Sequence, residues 1–191
     1  MAGCYAFSTF QTARLLRPGE WSITPSLSRQ ALVDDGDADD LWSALEVQAR
    51  RGISRRLEAG LKLGRIGLAD GYQFASAGPK VAIVPERLAF LLPVGLFFGS
   101  DQQTGESFQV HPTLLGSVPL DRAVELEVAA KRLVFLGGVS DDVWAASVGL
   151  EAGRPADPVT LHPEIGVLRT AGGGGWLLQW GLGLVVPLGR L

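Results

Sequence analysis

The sequence predicts an all-β chain that forms a closed, antiparallel, up-and-down transmembrane β-barrel of about ten strands. Three observations carry that expectation. First, Trp176, Leu178, Trp180, Leu182, Leu184, Val186 and Leu188 occupy alternate positions, with Leu177, Gln179, Gly181, Gly183, Val185 and Pro187 between them. A period of two belongs to a strand, here with one large apolar face and one mostly small or polar face. Second, mean hydropathy is +0.21 and only 19% of the 191 residues are charged, where a soluble domain carries about a quarter. No run of about 18 apolar residues offers a transmembrane helix. Apolar residues dispersed at period two are the other membrane solution, because a closed barrel pairs every backbone polar group. Third, longer and shorter connections alternate along the chain, as in barrels with short periplasmic turns and longer outer loops.

The elements follow in order. Residues 1–18 lack a clean period and end in Arg17-Pro18-Gly19, a turn signal. They are expected to form a periplasmic tether, or a segment lying against the barrel, ahead of a barrel spanning 19–191. Ten strands are expected near 20–29, 41–51, 56–66, 71–84, 87–99, 107–118, 122–136, 142–152, 158–169 and from 175. The fourth is interrupted by Ala77-Gly78-Pro79, and Arg132 breaks the apolar face of the seventh, marking a bulge or the membrane boundary. Pro25, Pro93, Pro112 and Pro163 each remove a ladder donor. At about eleven to thirteen residues on average, the strands slightly exceed the roughly 9–11 that cross a tilted bilayer. An even count puts both termini on one side, taken as periplasmic.

The odd connections are acidic or Gly-rich: Asp34, Asp35, Asp37, Asp39 and Asp40, then Asp70, Asp101 and Glu106, Asp141 and Asp142, and Gly172 to Gly175. The even ones are tight and carry arginine, at Arg55, Arg87, Arg122 and Arg154. The Asp34–Asp40 run lacks the glycine and terminal glutamate of a calcium-binding EF-hand loop and reads as a solvated loop.

Alternation alone leaves open a soluble, lipocalin-like barrel or sandwich with the large apolar phase turned inward. That phase would overfill the bore of a small barrel, however, and the mixed small and polar phase suits a narrow interior, so the apolar phase is assigned to the outside. Trp21, Trp144 and Trp176 fall near strand ends, where aromatic girdles meet the membrane interfaces. The opposite phase lines the lumen with Glu46, Arg50, Glu58, Lys62, Gln109, His111, Glu125, Glu127, Lys131, Glu151, His162, Glu164 and Gln179. Such groups need partners or water within a low-dielectric wall. A salt-bridged plug is one reading and a narrow conduit for water, ions or a small solute is the other. Ten strands lie close to the eight whose interior is just filled by side chains, which favours the plug.

Other chemistry is weakly marked. Ser147, His162 and Glu164 share a face as a nucleophile, base and acid would, but no Gly-x-Ser-x-Gly elbow accompanies them. A hydrolase is therefore the third and least favoured reading, and the chain is expected not to be an enzyme. Two distant histidines and a single cysteine show no metal-ligand spacing, so neither a metal nor another cofactor is expected. A net charge of −3 and the lack of a basic, aromatic-interleaved stripe argue against nucleic acid as a partner.

The run from Cys4 to Trp21, with Phe10-Gln11-Thr12-Ala13-Arg14 and Gly19-Glu20-Trp21, resembles the start of small bacterial outer-membrane barrels that begin as lipoproteins. His162-Pro163-Glu164-Ile165-Gly166-Val167 resembles a late strand of such proteins, although they often end in an aromatic residue and this chain ends Gly189-Arg190-Leu191. The resemblance implies an outer-membrane location and the barrel fold, not a reaction. Met1-Ala2-Gly3-Cys4 looks like the end of a lipobox, which makes Cys4 the expected lipidation site after a removed leader. The role expected is structural: anchoring or docking an envelope protein at the outer membrane, in contact with its lipid. Residues 5–18 and the arginine-bearing turns are the expected contact surface.

Overall fold

A computed structural model describes residues 8–34, 37–67, 72–98, 107–136, 143–153, 157–170 and 175–190. Cys4, Arg154, Gly172 to Gly174 and the acidic residues Asp35, Asp70, Asp101, Glu106, Asp141 and Asp142 lie outside them.

The strands are β1 (Glu20–Asp34), β2 (Asp37–Ser54), β3 (Leu57–Ile66), β4 (Tyr72–Val84), β5 (Leu88–Leu91), β6 (Val94–Phe98), β7 (Ser107–Val110), β8 (Thr113–Pro119), β9 (Val124–Leu136), β10 (Val143–Ala152), β11 (Thr160–Thr170) and β12 (Trp176–Arg190). All pairings are antiparallel, and β1 pairs with β12 to close the sheet. Twelve segments make ten staves. Both β5 and β6 pair with β4 in one register (Lys80↔Leu91, Ala77↔Val94), and both β7 and β8 pair with β9 in one register (Val110↔Val134, Thr113↔Lys131). The breaks fall at Leu92-Pro93 and His111-Pro112, where proline lacks the ladder donor. Pro25 and Pro163 stay inside β1 and β11, opposite Val47 and Leu182.

Two expectations change. The run from Asp37 to Asp40 belongs to β2 rather than to a loop. Asp34 pairs with Asp37, so only Asp35-Gly36 separates the strands, a dipeptide suited to a two-residue hairpin connection. Arg132 makes no bulge: it lies opposite Trp144 in an unbroken register.

Side chains alternate along most of each strand, with a break at Gln30-Ala31 in β1, where the register shifts and both residues are buried. Leu27, Leu45, Leu63, Ile83, Ile165 and Leu182 face out and are exposed, while Ser26, Ser28, Glu46, Lys80, Glu164 and Gly183 face in and are buried. Glu20 pairs with Arg190, so β1 and β12 share the rim of the short turns. Trp21 stands at that turn rim with the Arg51 guanidinium 5.2 Å from its ring centroid. At the loop rim, Arg132 covers Trp144 at 5.5 Å and Arg169 covers Trp176 at 4.9 Å. Such cation–π pairs give each indole a polar edge at both ends of the apolar wall.

An exterior wall of this apolarity suits hydrocarbon. Leu182→Arg, midway along β12, is expected to cost about 2–4 kcal/mol of folding free energy in lipid vesicles, against roughly 0–1 kcal/mol for Leu188→Arg nearer the rim. Urea unfolding of the vesicle-inserted protein checks this, and equal costs at both positions would mean that Leu182 does not face the hydrocarbon centre.

Candidate functional site: the occupied lumen

Residues 8–16 do not hang from the barrel as a tether. They run inside it, from Ser8 near mid-barrel to Leu16 at the turn rim, and Ser8 to Ala13 are almost wholly buried. The Ser8 hydroxyl donates to Glu46. The Thr9 amide donates to both Glu164 oxygens at 2.9 and 3.0 Å, and the Phe10 amide donates to Oε2 at 2.7 Å. Phe10 has φ of 45°, so these successive amides converge on the carboxylate as a backbone anion nest. The Ala13 amide donates to the Ser117 hydroxyl at 2.7 Å, and that of Leu16 to Glu58 at 2.9 Å. Arg14 Nη2 lies 2.6 Å from Glu151 and 3.5 Å from Glu125.

Wall lysines complete the set. Lys62 Nζ donates to the carbonyl and hydroxyl of Ser8 at 2.8 and 3.0 Å, and Lys131 reaches that carbonyl at 3.4 Å. Lys80 Nζ donates to Gln11 Oε1 and to the carbonyls of Thr12 and Arg14, at 3.1–3.3 Å. An extended segment without strand partners thus has its backbone groups answered by side chains, as burial requires.

Glycines on the wall make the room. A Cβ at Gly181 would lie 2.8 Å from Phe10 Cζ, and one at Gly183 would lie 3.3 Å from Phe10 side-chain atoms. A Cβ at Gly52 would lie 2.1 Å from the Arg17 carbonyl oxygen, where the segment crosses the rim.

The thirteen positions expected in the lumen all lie on the inward phase. Glu46, Arg50, Glu58, Gln109, His111, Glu127, Lys131, Glu151, His162, Glu164 and Gln179 are buried there, and Lys62 and Glu125 are half-buried. The structure joins Lys62 to Glu46 at 2.8 Å, Arg50 to Glu58 at 3.6 Å and His162 to Glu127 at 2.7 Å. His111 bonds Gln109, and Gln179 accepts from Gln30, whose own oxygen accepts from Trp42 Nε1. Lys80 joins them from β4, 3.0 Å from Glu58. Sequence reasoning left Lys80 out because Ala77-Gly78-Pro79 blurred that strand, although Phe74, Ser76, Gly78, Lys80 and Ala82 keep its inward period.

The lumen is not uniformly polar. Toward the loop rim it is lined by Ile66, Phe74 and Phe97 on one side and by Leu133, Val143, Leu168 and Leu177 on another. Phe74 and Phe97 stack at 5.3 Å. Ser147 is buried on the inward phase, but the Glu164 oxygens hold the Thr9 and Phe10 amides and His162 Nε2 faces Glu127.

Fold and interior together define a β-barrel of the transmembrane kind, apolar outside and polar within, occupied by its own N-terminal segment. Neither a known protein family nor a curated protein matches this chain in sequence. Among solved structures, it is similar to the translocator domain of the autotransporter NalP from Neisseria meningitidis, with 10% identity and a TM-score of 0.49 over 87% of this chain and 88% of that one. It is also similar to Ail, the attachment invasion locus protein of Yersinia pestis (13% identity, TM-score 0.41, 90% and 99% covered). A third likeness is to the N-terminal β-barrel domain of Pseudomonas aeruginosa OprF (8%, 0.37, 88% and 98%). At these identities and TM-scores the likenesses add nothing to a barrel already defined by its own strand pairing.

Glu58 stands between Lys80 and Arg50, all nearly inaccessible. Glu58→Gln strands two buried cations and is expected to cost about 3–5 kcal/mol, while the double variant Glu58→Gln with Lys80→Met recovers much of that loss. Urea unfolding of the four proteins of this cycle in detergent reads the coupling; additive losses would mean that the pair is solvated.

Proposed function

We propose that this chain is a bacterial outer-membrane barrel whose lumen is closed by its own N-terminal segment, and that it serves as an anchor or docking platform without a catalytic role. The observation carrying this reading is the occupied lumen: residues 8–16 stand where a conduit would run, with wall groups on several staves spent on holding them. The apolar exterior supports residence in a bilayer, and the alternation of strand and turn supports an outer-membrane barrel. In planar bilayers the wild-type protein is expected to give no steady unitary current. Steady currents that vanish in Gly181→Leu would overturn the closed-lumen reading and favour a narrow pore for water, ions or a small solute.

The docking surface is placed at the turn rim. Arg17, Arg51, Arg55, Arg56, Arg87 and Arg122 are exposed there, against exposed Glu86 and Asp121 and half-buried Glu20 and Asp157. Such a basic rim fits an acidic face of an envelope protein through electrostatic complementarity. Arg55→Glu with Arg56→Glu is expected to leave folding intact and to release the wild-type barrel's larger species on native gels of mild detergent extracts. A wild-type barrel that migrates as a lone monomer in those extracts would sink the docking role.

A further inference from the structure

Most carboxylates in the lumen stand against a permanent cation, whereas Glu127 stands against the imidazole of His162. Glu46 has Lys62, Glu58 has Lys80 and Arg50, and Glu125 and Glu151 share Arg14. Among the described residues, six inward carboxylates face five permanent cations, and His162 is the further titratable group, set between Glu127 and Glu164.

We propose that these three side chains form a binding site for a first-row divalent metal ion, of which zinc is the natural probe. One ligand atom from each lies within 4.8 Å of the other two, and all three residues are buried. Tetrahedral zinc, with bonds near 2.0–2.2 Å, holds its ligand atoms about 3.4 Å apart, so small side-chain rotations close the set. His162 Nε2 and Glu127 Oε2 stand 2.7 Å apart. Neither atom meets hydrogen-bond geometry there, and Glu127 Oε1 and His162 Nδ1 are also buried without a partner. Two polar atoms that converge without aiming at each other suit ligands aimed at a common third atom. The neutral ring can carry its proton on Nδ1 and present the Nε2 lone pair.

The backbone builds the cradle. Gly149 on β10 pairs with Glu127 on β9 and with Glu164 on β11, and a Cβ there would lie 2.8 Å from His162 Nε2. The missing side chain is what lets carboxylates on non-adjacent strands and the imidazole approach one another. Phe10 covers the group edge-on to His162, with 6.1 Å between ring centroids. Because Glu164 also holds the Thr9 and Phe10 amides, an ion bound here would tie the wall to the N-terminal segment.

The test uses tag-free, full-length protein refolded in detergent without metal and titrated with zinc chloride against a chromophoric chelator. One zinc per chain is expected with a Kd at or below the micromolar range. Affinity should fall at least about 100-fold in His162→Gln and in Gly149→Ala, which fills the cradle while keeping every ligand. Cobalt(II) loaded into the wild type should show the visible absorption of a four-coordinate nitrogen–oxygen site, a readout that does not depend on any variant folding. Substoichiometric zinc would overturn the proposal, leaving a histidinium–carboxylate pair as the occupant. Binding unchanged in His162→Gln would also overturn it, by assigning the ion to surface carboxylates. Metal content and conductance are read separately, so either result can fail without the other.

Discussion

A ten-stave barrel has a bore too narrow to leave its lining freely hydrated, yet this one is lined with carboxylates and ammonium groups. Charge removed from water needs a partner at hydrogen-bonding distance, and that requirement organises the interior. The four wall cations Arg50, Lys62, Lys80 and Lys131 cannot balance six carboxylates by themselves. The N-terminal segment brings Arg14 to Glu125 and Glu151, and its amides to Glu58 and Glu164. The lining in turn supplies lysines for the carbonyls of Ser8, Thr12 and Arg14. The backbone of the segment and the charged groups of the wall thus answer one another.

Space is set by the same residues. On β12 the outward phase is Trp, Leu, Trp, Leu, Leu, and the inward phase narrows to Gly181 and Gly183 where the Phe10 ring sits. Large residues outside and small ones inside curve the sheet around its guest. Gly149 and Gly52 repeat the arrangement beside His162 and beneath the Arg17 carbonyl. The glycines are therefore placed by contact, with a specific neighbour where each Cβ would be.

Much of this was legible from alternation alone. Period two gave the strands, their number as staves and the inward position of residues such as Glu46, Glu127, His162 and Gln179. It failed where periodicity carries no information. The segment from Ser8 to Leu16 has no period because it joins no ladder; its partners lie between 38 and 155 residues away in sequence, so nothing local betrays them. Lys80 follows a Gly-Pro interruption that hides its phase but that the strand tolerates, and the acidic start of β2 resembles a loop because acidity usually accompanies the absence of pairing. The apolar layer at the loop rim was hidden because Leu168 and Leu177 are hydrophobic on both readings. Only the phase, fixed by Glu164 and Gln179 along the same strands, says that they point inward.

The two halves of the lumen are closed by different forces. Around the N-terminal segment the contacts are hydrogen bonds and ion pairs, and water can replace each of them, so each contributes only about 0.5–1.5 kcal/mol net, or up to about 3 kcal/mol where a charged group takes part. That closure draws its strength from number and from burial, and it also sustains the left-handed backbone at Phe10, a conformation that costs about 1–3 kcal/mol outside glycine. Nearer the loops, Phe74, Phe97, Leu133 and Leu168 are held away from water by their own hydrophobicity, and no exchange of hydrogen bonds loosens them. Withdrawing the segment would hydrate the charged half and leave the apolar layer in place. The interior of this barrel is thus devoted to holding its own chain, by polar contacts at one end and by an apolar layer at the other.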